Sequence, residues 1–248
     1  MLCSADSFME SIRAGGEQTV VPSGLFLFDK PCGITSHDGV YKLRKKLGIK
    51  RIGHGGTLDP FASGLLILLV GSATKKQSLL QGGSKVYSGV IELGTETDTW
   101  DCTGKVVARA GIPLITPESF EKAVAGLSGK IVQQVPPFSA VKVNGRKLYE
   151  LARAGESVPE IMRETTVEWL EKRLDGDEIG FRIKCSGGTY IRSIARDIGV
   201  LLGTKAHLKT LRREEAGGFH VSQAIGLETL LGMNYDEIVA SFRQCDHA

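Results

Sequence analysis

The sequence predicts an α+β fold, and two observations carry that expectation. Residues 178–186, EIGFRIKCS, alternate so that Ile179, Phe181, Ile183 and Cys185 share one face, the period of a strand with one wet side. Shortly after, TYIRSIARDIGVLLG (189–203) switches to helical spacing through Ile191, Ile194, Ile198 and Leu201. Strands and helices are mixed along the chain without regular β-α-β alternation, which favours an α+β sheet over a doubly wound one. A chain of 248 residues with 42% hydrophobic content can bury a sizeable core. No repeat or low-complexity linker divides it, so one domain is expected over 24–248, behind a polar N-terminal extension over 1–23.

Taken in order, the first ~20 residues lack a charged segment followed by an apolar one, so they are no secretory signal and are expected to be poorly ordered. GLFLFDKP (24–31) reads as a buried strand that stops at Pro31. SHDGVYKLRKKLG (36–48) reads as a helix with Ser36 as N-cap, Val40, Leu43 and Leu47 on one face and Gly48 at the C-cap. KVYSGVIELG (85–94) is a strand, and the polar TETDTWDCTG that follows is a loop. TPESFEKAVAGLSG (116–129) is a helix capped by Thr116 with Pro117 at its first position. VPPF (135–138) ends a short strand.

Net charge is only +3, yet it is unevenly placed. KLRKKLGIKR (42–51) has six basic residues and no acid, and KVNGRK (142–147) and LKTLRR (208–213) add two further clusters. Such clusters suit a polyanion as well as they suit solvated faces. The five cysteines are scattered without a CxxC pair, so neither a zinc site nor a disulfide framework is expected, and a reducing cytosol is inferred. No apolar run approaches the ~20 residues of a membrane span.

The chemistry concentrates in GHGGTLDPFASGLL (53–66). Asp59 follows three glycines and precedes the apolar run LLILLV (65–70). Asp-Pro is a common turn dipeptide, so Asp59 reads as a turn residue. It reads also as a nucleophile, because glycines let a ligand approach a carboxylate at the edge of a core segment. His54 is either a base, a ligand contact or a loop histidine. Tyr87, near the start of its strand, has packing as its ordinary role. Arg192 and Arg196 share a helix face. Arg192 lies in the first turn, where the helix dipole disfavours a cation, so an acid from elsewhere is expected as its partner, with Asp59 a candidate. The loop acids Glu96, Asp98 and Asp101 match no calcium-loop spacing and read as a turn. No nucleotide-binding glycine motif and no serine nucleophile elbow occurs.

The residues also carry a resemblance. GHGGTLDPFASGLL closely resembles the catalytic motif of the TruB family of tRNA pseudouridine synthases. DKPCGITS (29–36), KVYSGVIELGTETDTWDCTG (85–104), QVPPFSAVKVNGRKLYELARAG (134–155), CSGGTYIRSIARDIG (185–199) and GTKAHLKTLRR (203–213) are similar to the family's other blocks, in family order. Together they cover roughly residues 24–220.

The resemblance implies the pseudouridine synthase catalytic fold, a mixed and mainly antiparallel sheet flanked by helices. It implies isomerisation of uridine 55 in the tRNA T-loop: the C1′–N1 bond breaks, the base turns, and C1′ rejoins C5. It further implies that no metal and no other cofactor is needed. By position, Asp59 matches the catalytic aspartate, Arg192 the arginine that keeps it ionised, and Tyr87 the tyrosine against the base. His54, Tyr190 and Leu211 match contacts to the flipped nucleotide, and Lys30, with Pro31, supports the pocket floor. The basic clusters become the tRNA surface, and the chain is expected to be monomeric and cytoplasmic. Too few residues follow AGGFHVS for the PUA-like domain that many members carry. Two alternatives remain: a guide-RNA-dependent synthase, and a non-catalytic tRNA-binding or folding protein. Without the resemblance, a small-molecule hydrolase would come next.

Overall fold

A computed structural model describes residues 9–14 and 17–244. The chain forms two compact units: one comprises residues up to 85 and from 212 onward, the other residues 86–211.

The first unit starts with β1 (Met9–Ala14) and β2 (Glu17–Pro22), paired antiparallel with Met9 opposite Pro22. Of the segment expected to be poorly ordered, residues 9–14 and 17–22 are thus paired strands. The remainder of that expectation lies outside the described residues. Next come β3 (Gly24–Lys30), α1 (Ser36–Leu47), β4 (Ile52–His54), β5 (Ser63–Val70) and α2 (Gln77–Gly82). β3 runs antiparallel to β5 along its whole length, from Gly24 opposite Val70 to Lys30 opposite Gly64. β4 pairs with the last three residues of β5. Leu25, Leu27, Leu65, Ile67, Leu69, Leu80 and Ala216 form a buried cluster, so the apolar run after Asp59 is the unit's core strand.

Helix α1 begins one residue away from the expected cap. Thr35 is the N-cap: its hydroxyl accepts from Asp38 N, and the Asp38 carboxylate accepts from Thr35 N, a capping box. Ser36 is thereby freed for the aspartate loop. Gly48 closes the helix in the left-handed region, φ 68°, as its type predicts.

The second unit holds β6 (Lys85–Leu93, after its first residue), β7 (Thr95–Thr97), β8 (Val106–Arg109), α3 (Pro117–Gly126) and β9 (Gly129–Gln134). Then follow β10 (Lys142–Val143), β11 (Arg146–Lys147), α4 (Leu148–Arg153), β12 (Met162–Asp175), β13 (Glu178–Cys185) and α5 (Ile191–Leu201). β14 (Ala206–Ala216) leaves this unit at Leu211, and β15 (Phe219–His220), β16 (Ile225–Gly226), α6 (Leu227–Gly232) and α7 (Tyr235–Ala240) complete the first. Within the first unit the strand order is β16-β3-β5-β14, and within the second it is β14-β6-β13-β12-β9. The expected α+β class, mainly antiparallel with flanking helices, holds.

Three local readings change. The 95–104 segment is not all loop, because β7 pairs with β8. β12 and β14 were not anticipated as strands. The LKTLRR cluster is not a run of bare cations: Lys209 pairs with Glu92 and Glu178, Arg212 pairs with Asp29, and Arg213 is buried.

Candidate active site

Asp59 sits, partly buried, in the loop 55–62 between β4 and β5. A loop so rich in glycine has few side chains with which to pack, so it is held by its backbone. Ser36 brackets the residue before the aspartate: its hydroxyl donates to Leu58 O (3.0 Å) and accepts from Leu58 N (2.8 Å). Pro60 O, just after it, accepts from Gly33 N (2.7 Å) and from Lys30 Nζ (3.4 Å). On both sides of the loop, the buried Arg213 donates to Gly56 O (3.2 Å), Thr57 O (3.3 Å) and Leu65 O (2.6 Å). Gly64 makes that clamp possible. Its φ is +104°, and a Cβ there would stand 2.3 Å from Arg213 O.

Two buried or half-buried titratable groups belong to the same region. Lys30 is fully buried and donates to Pro31 O and Ile34 O, both at 2.8 Å. Burial pulls it below the ordinary lysine range, against the opposing influence of Cys32 and Asp59 nearby. His54 is also held below its ordinary value, first by burial and then by the charges of Arg213 and His37. Its buried Nδ1 has no hydrogen-bond partner among the described residues. A neutral imidazole with an open nitrogen at the start of the aspartate loop suits contact with a polar ligand.

In the second unit, Arg192 occupies the first turn of α5 and is 4% exposed. Nη1 donates to Thr99 O (3.0 Å), Nη2 donates to Phe138 O (3.2 Å), and Nε lies 3.6 Å from Asp101 Oδ2. Asp101 Oδ1 accepts from Thr99 Oγ1 (2.8 Å), Thr103 N (3.0 Å) and Thr103 Oγ1 (2.6 Å), so one oxygen is fixed by the turn and the other faces the arginine. The loop acid read as a mere turn residue is therefore a buried partner of Arg192.

Two consecutive glutamines of β9 seat the helix. Gln133 accepts from Tyr190 N (2.7 Å) and donates to Tyr190 O (3.3 Å), while Gln134 O accepts from Ser193 Oγ (2.6 Å). Tyr190 is thereby fixed at the N-cap of α5, with Arg163 over its ring at 5.7 Å. Tyr87 on β6 and Leu211 in the middle of β14 are both buried, on neighbouring strands. Those strands approach closely at Gly89, where a Cβ would lie 2.2 Å from Thr210 O.

The structure thus gathers Lys30, His54 and Asp59 around one loop of the first unit. It gathers Tyr190 and Arg192 at the head of α5 in the second, with Tyr87 and Leu211 on adjoining strands. Asp101, Gln133 and Arg213 were missed. The T-x-D-x-T pattern around Asp101 is a signal that could have marked it, since flanking threonines commonly lock a turn carboxylate. The glutamine and the arginine offer no such local sign. Among the described residues, no three His, Cys, Asp or Glu side chains come together in a way that could hold a metal ion.

Residues 44–191 match the family model for the TruB family pseudouridylate synthase N-terminal domain, and residues 192–243 match that for the tRNA pseudouridylate synthase B C-terminal domain. The chain belongs to the TruB family. Members include tRNA pseudouridine synthase B of Streptococcus pneumoniae serotype 4, 45% identical over 215 residues, which are 84% of this chain and 74% of that one. The Streptococcus gordonii synthase of the same name is also 45% identical, over 217 residues. Among solved structures, a crystal structure of a Cbf5-Nop10-Gar1 complex contains a chain 28% identical to this TruB-family chain, with a TM-score of 0.66. The likeness covers 90% of this chain and 60% of that one. An H/ACA RNP bound to a substrate RNA containing 2′-deoxyuridine gives 26% and 0.61, over 89% and 58%. The TruB family is a family of enzymes, and no described helix here is long and apolar enough to cross a membrane.

Proposed function

We propose that this TruB-family enzyme converts uridine 55 in the T-loop of tRNA to pseudouridine, as a cytoplasmic monomer and without a cofactor. Asp59 acts at the sugar, Arg192 holds it ionised, and Tyr87 lies against the base. His54, Tyr190 and Leu211 contact the extruded nucleotide, and Lys30 supports the loop. The observation that carries this reading is the backbone clamp on Asp59, anchored at Leu58 and at Pro60 in a family whose members are pseudouridylate synthases. An acid held on both sides loses little freedom on meeting its substrate, which is what positioned catalysis needs.

The reaction suits a lone carboxylate. Breaking C1′–N1 releases uracil as a stabilised anion that stays in the pocket, and rejoining through C5 is completed when the C5 proton is lost and N1 is protonated. Glycoside hydrolysis, by contrast, uses a second carboxylate for the leaving group or for water. The target base must leave its stack, at a cost of a few kcal/mol that pocket contacts offset. The guide-RNA-dependent reading ranks second, because relatives at 45% identity are named tRNA synthases while the Cbf5 likeness stands at 28%.

The test is nucleotide-resolution mapping of pseudouridine in an unmodified tRNA transcript and in one with uridine 55 replaced by cytidine, each with a chelator present. Modification at 55 alone, absent from the second transcript and indifferent to the chelator, is expected. Modification elsewhere, or dependence on a guide RNA, would overturn the assignment.

A further inference from the structure

Trp100 is a bulky residue in the left-handed region, φ 62°, in the middle of the turn that serves Arg192. Glycine takes such a conformation freely, whereas a tryptophan there is strained. Something must hold it. Its backbone is strapped on both sides: Trp100 N donates to Thr97 O (3.2 Å), and Trp100 O accepts from Leu208 N (3.0 Å). Its ring is buried, and the Arg196 guanidinium lies over it at 4.1 Å from the centroid.

Arg196 is itself immobilised. Nε donates to Asp197 Oδ1 (2.8 Å), Nη2 donates to the same oxygen (2.5 Å), and Nη1 donates to Gln134 Oε1 (2.5 Å). The edge of the guanidinium is thus occupied, its charge is paired with Asp197, and its flat face is presented to Trp100. That arrangement suits stacking and leaves little for a phosphate. The left-handed residue reverses the chain so that Thr99 O, before it, and the Asp101 carboxylate, after it, both serve Arg192.

We propose that the Arg196–Trp100 stack is a positioning device: it holds the strained turn whose carbonyl and carboxylate aim Arg192. Arg196 is a positioning residue and touches no reacting atom. The proposal rests on the reading of Arg192 given above.

The experiment compares wild type with Arg196→Lys, which keeps charge but loses the planar stack, and with Trp100→Gly, which relieves backbone strain but removes the ring. Pseudouridine formation is measured on tRNA transcript at a temperature well below the lowest melting point, alongside the double variant. The expected result is a fall in kcat of tenfold or more in each single variant, KM within twofold, and a double variant no worse than the worse single one. In a Trp169→Phe background Trp100 is the sole tryptophan, and its emission is expected to shift to the red in Arg196→Lys. A kcat within twofold of wild type, or a loss confined to KM with an altered salt slope, would overturn the proposal in favour of a phosphate contact. Should the wild type make no pseudouridine, the proposed function fails by itself. The emission arm then decides the positioning claim, since unchanged Trp100 emission in Arg196→Lys refutes the stack.

Discussion

The aspartate loop and the arginine seat solve the same problem with opposite means. The loop around Asp59 is poor in side chains, so donors brought from elsewhere (Ser36, Lys30 and Arg213) grip its carbonyls. Arg192 is a long, charged side chain, so the fold surrounds it with acceptors: two carbonyls and the Asp101 carboxylate, on a turn tied down by threonines. In the first region cations immobilise backbone; in the second, backbone and an anion immobilise a cation. Both arrangements bury charge, which is tolerable only where the charge is paired or hydrogen-bonded. The difference teaches where each region is fragile. The loop fails when a donor is lost, and the seat fails when its anion is lost.

The largest effect is expected from the seat. Asp101→Asn takes one carboxylate from beside the buried Arg192 guanidinium, and a broken buried pair of this kind costs up to about 3 kcal/mol of stability. It should also lower kcat well beyond any change in tRNA affinity. Urea unfolding with parallel steady-state kinetics checks both. Arg213→Met comes next. It strands three carbonyls at Gly56, Thr57 and Leu65, for about 2–3 kcal/mol, and it frees the Asp59 loop. Greater hydrogen exchange at 55–62 than elsewhere in the first unit is the expected signature; uniform loss of protection would mean that Arg213 holds the whole unit rather than this loop.

The extent to which the sequence announced these features follows from how local their causes are. Gly48, Thr116 with Pro117, and the inward alternation of β13 are short-range patterns, and all were legible. The cap of α1 slipped by one because Thr35 and Ser36 are both capping types, and the choice depends on Leu58, twenty-two residues away. β12 escaped because its sequence, RETTVEWLEKRLD, is mostly charged and buries only Thr165 and Val167. β14 escaped because LKTLRR looks like a surface cluster until Glu92, Glu178 and Asp29 arrive from other strands. The site divides in the same way. Glycines advertise the Asp59 loop, whereas Gln133 acts only on Tyr190, fifty-seven residues on.

Smaller effects are expected from single contacts of the loop. Ser36→Ala removes the bracket on Leu58 and should cost about 1 kcal/mol, with a lower kcat and an unchanged tRNA dissociation constant. His54→Gln tests the buried imidazole. The folded-state pKa lies below the ordinary 6.5, so as pH falls through that value the unfolded chain takes up the proton first, and the wild type loses stability. Urea midpoints at pH 7.5 and 5.5 should therefore move in favour of the variant at the lower pH. Parallel midpoints would mean that His54 is freely solvated.

The most direct test is tritium release from T-loop transcripts carrying C5-tritiated uridine, with wild type beside Asp59→Asn and tRNA binding measured for both. Stoichiometric release by the wild type, abolished in the variant while binding persists, is the expected result. Equal release from both proteins would contradict the central role of Asp59, and tight binding without release from either would leave a tRNA-binding protein on a synthase fold.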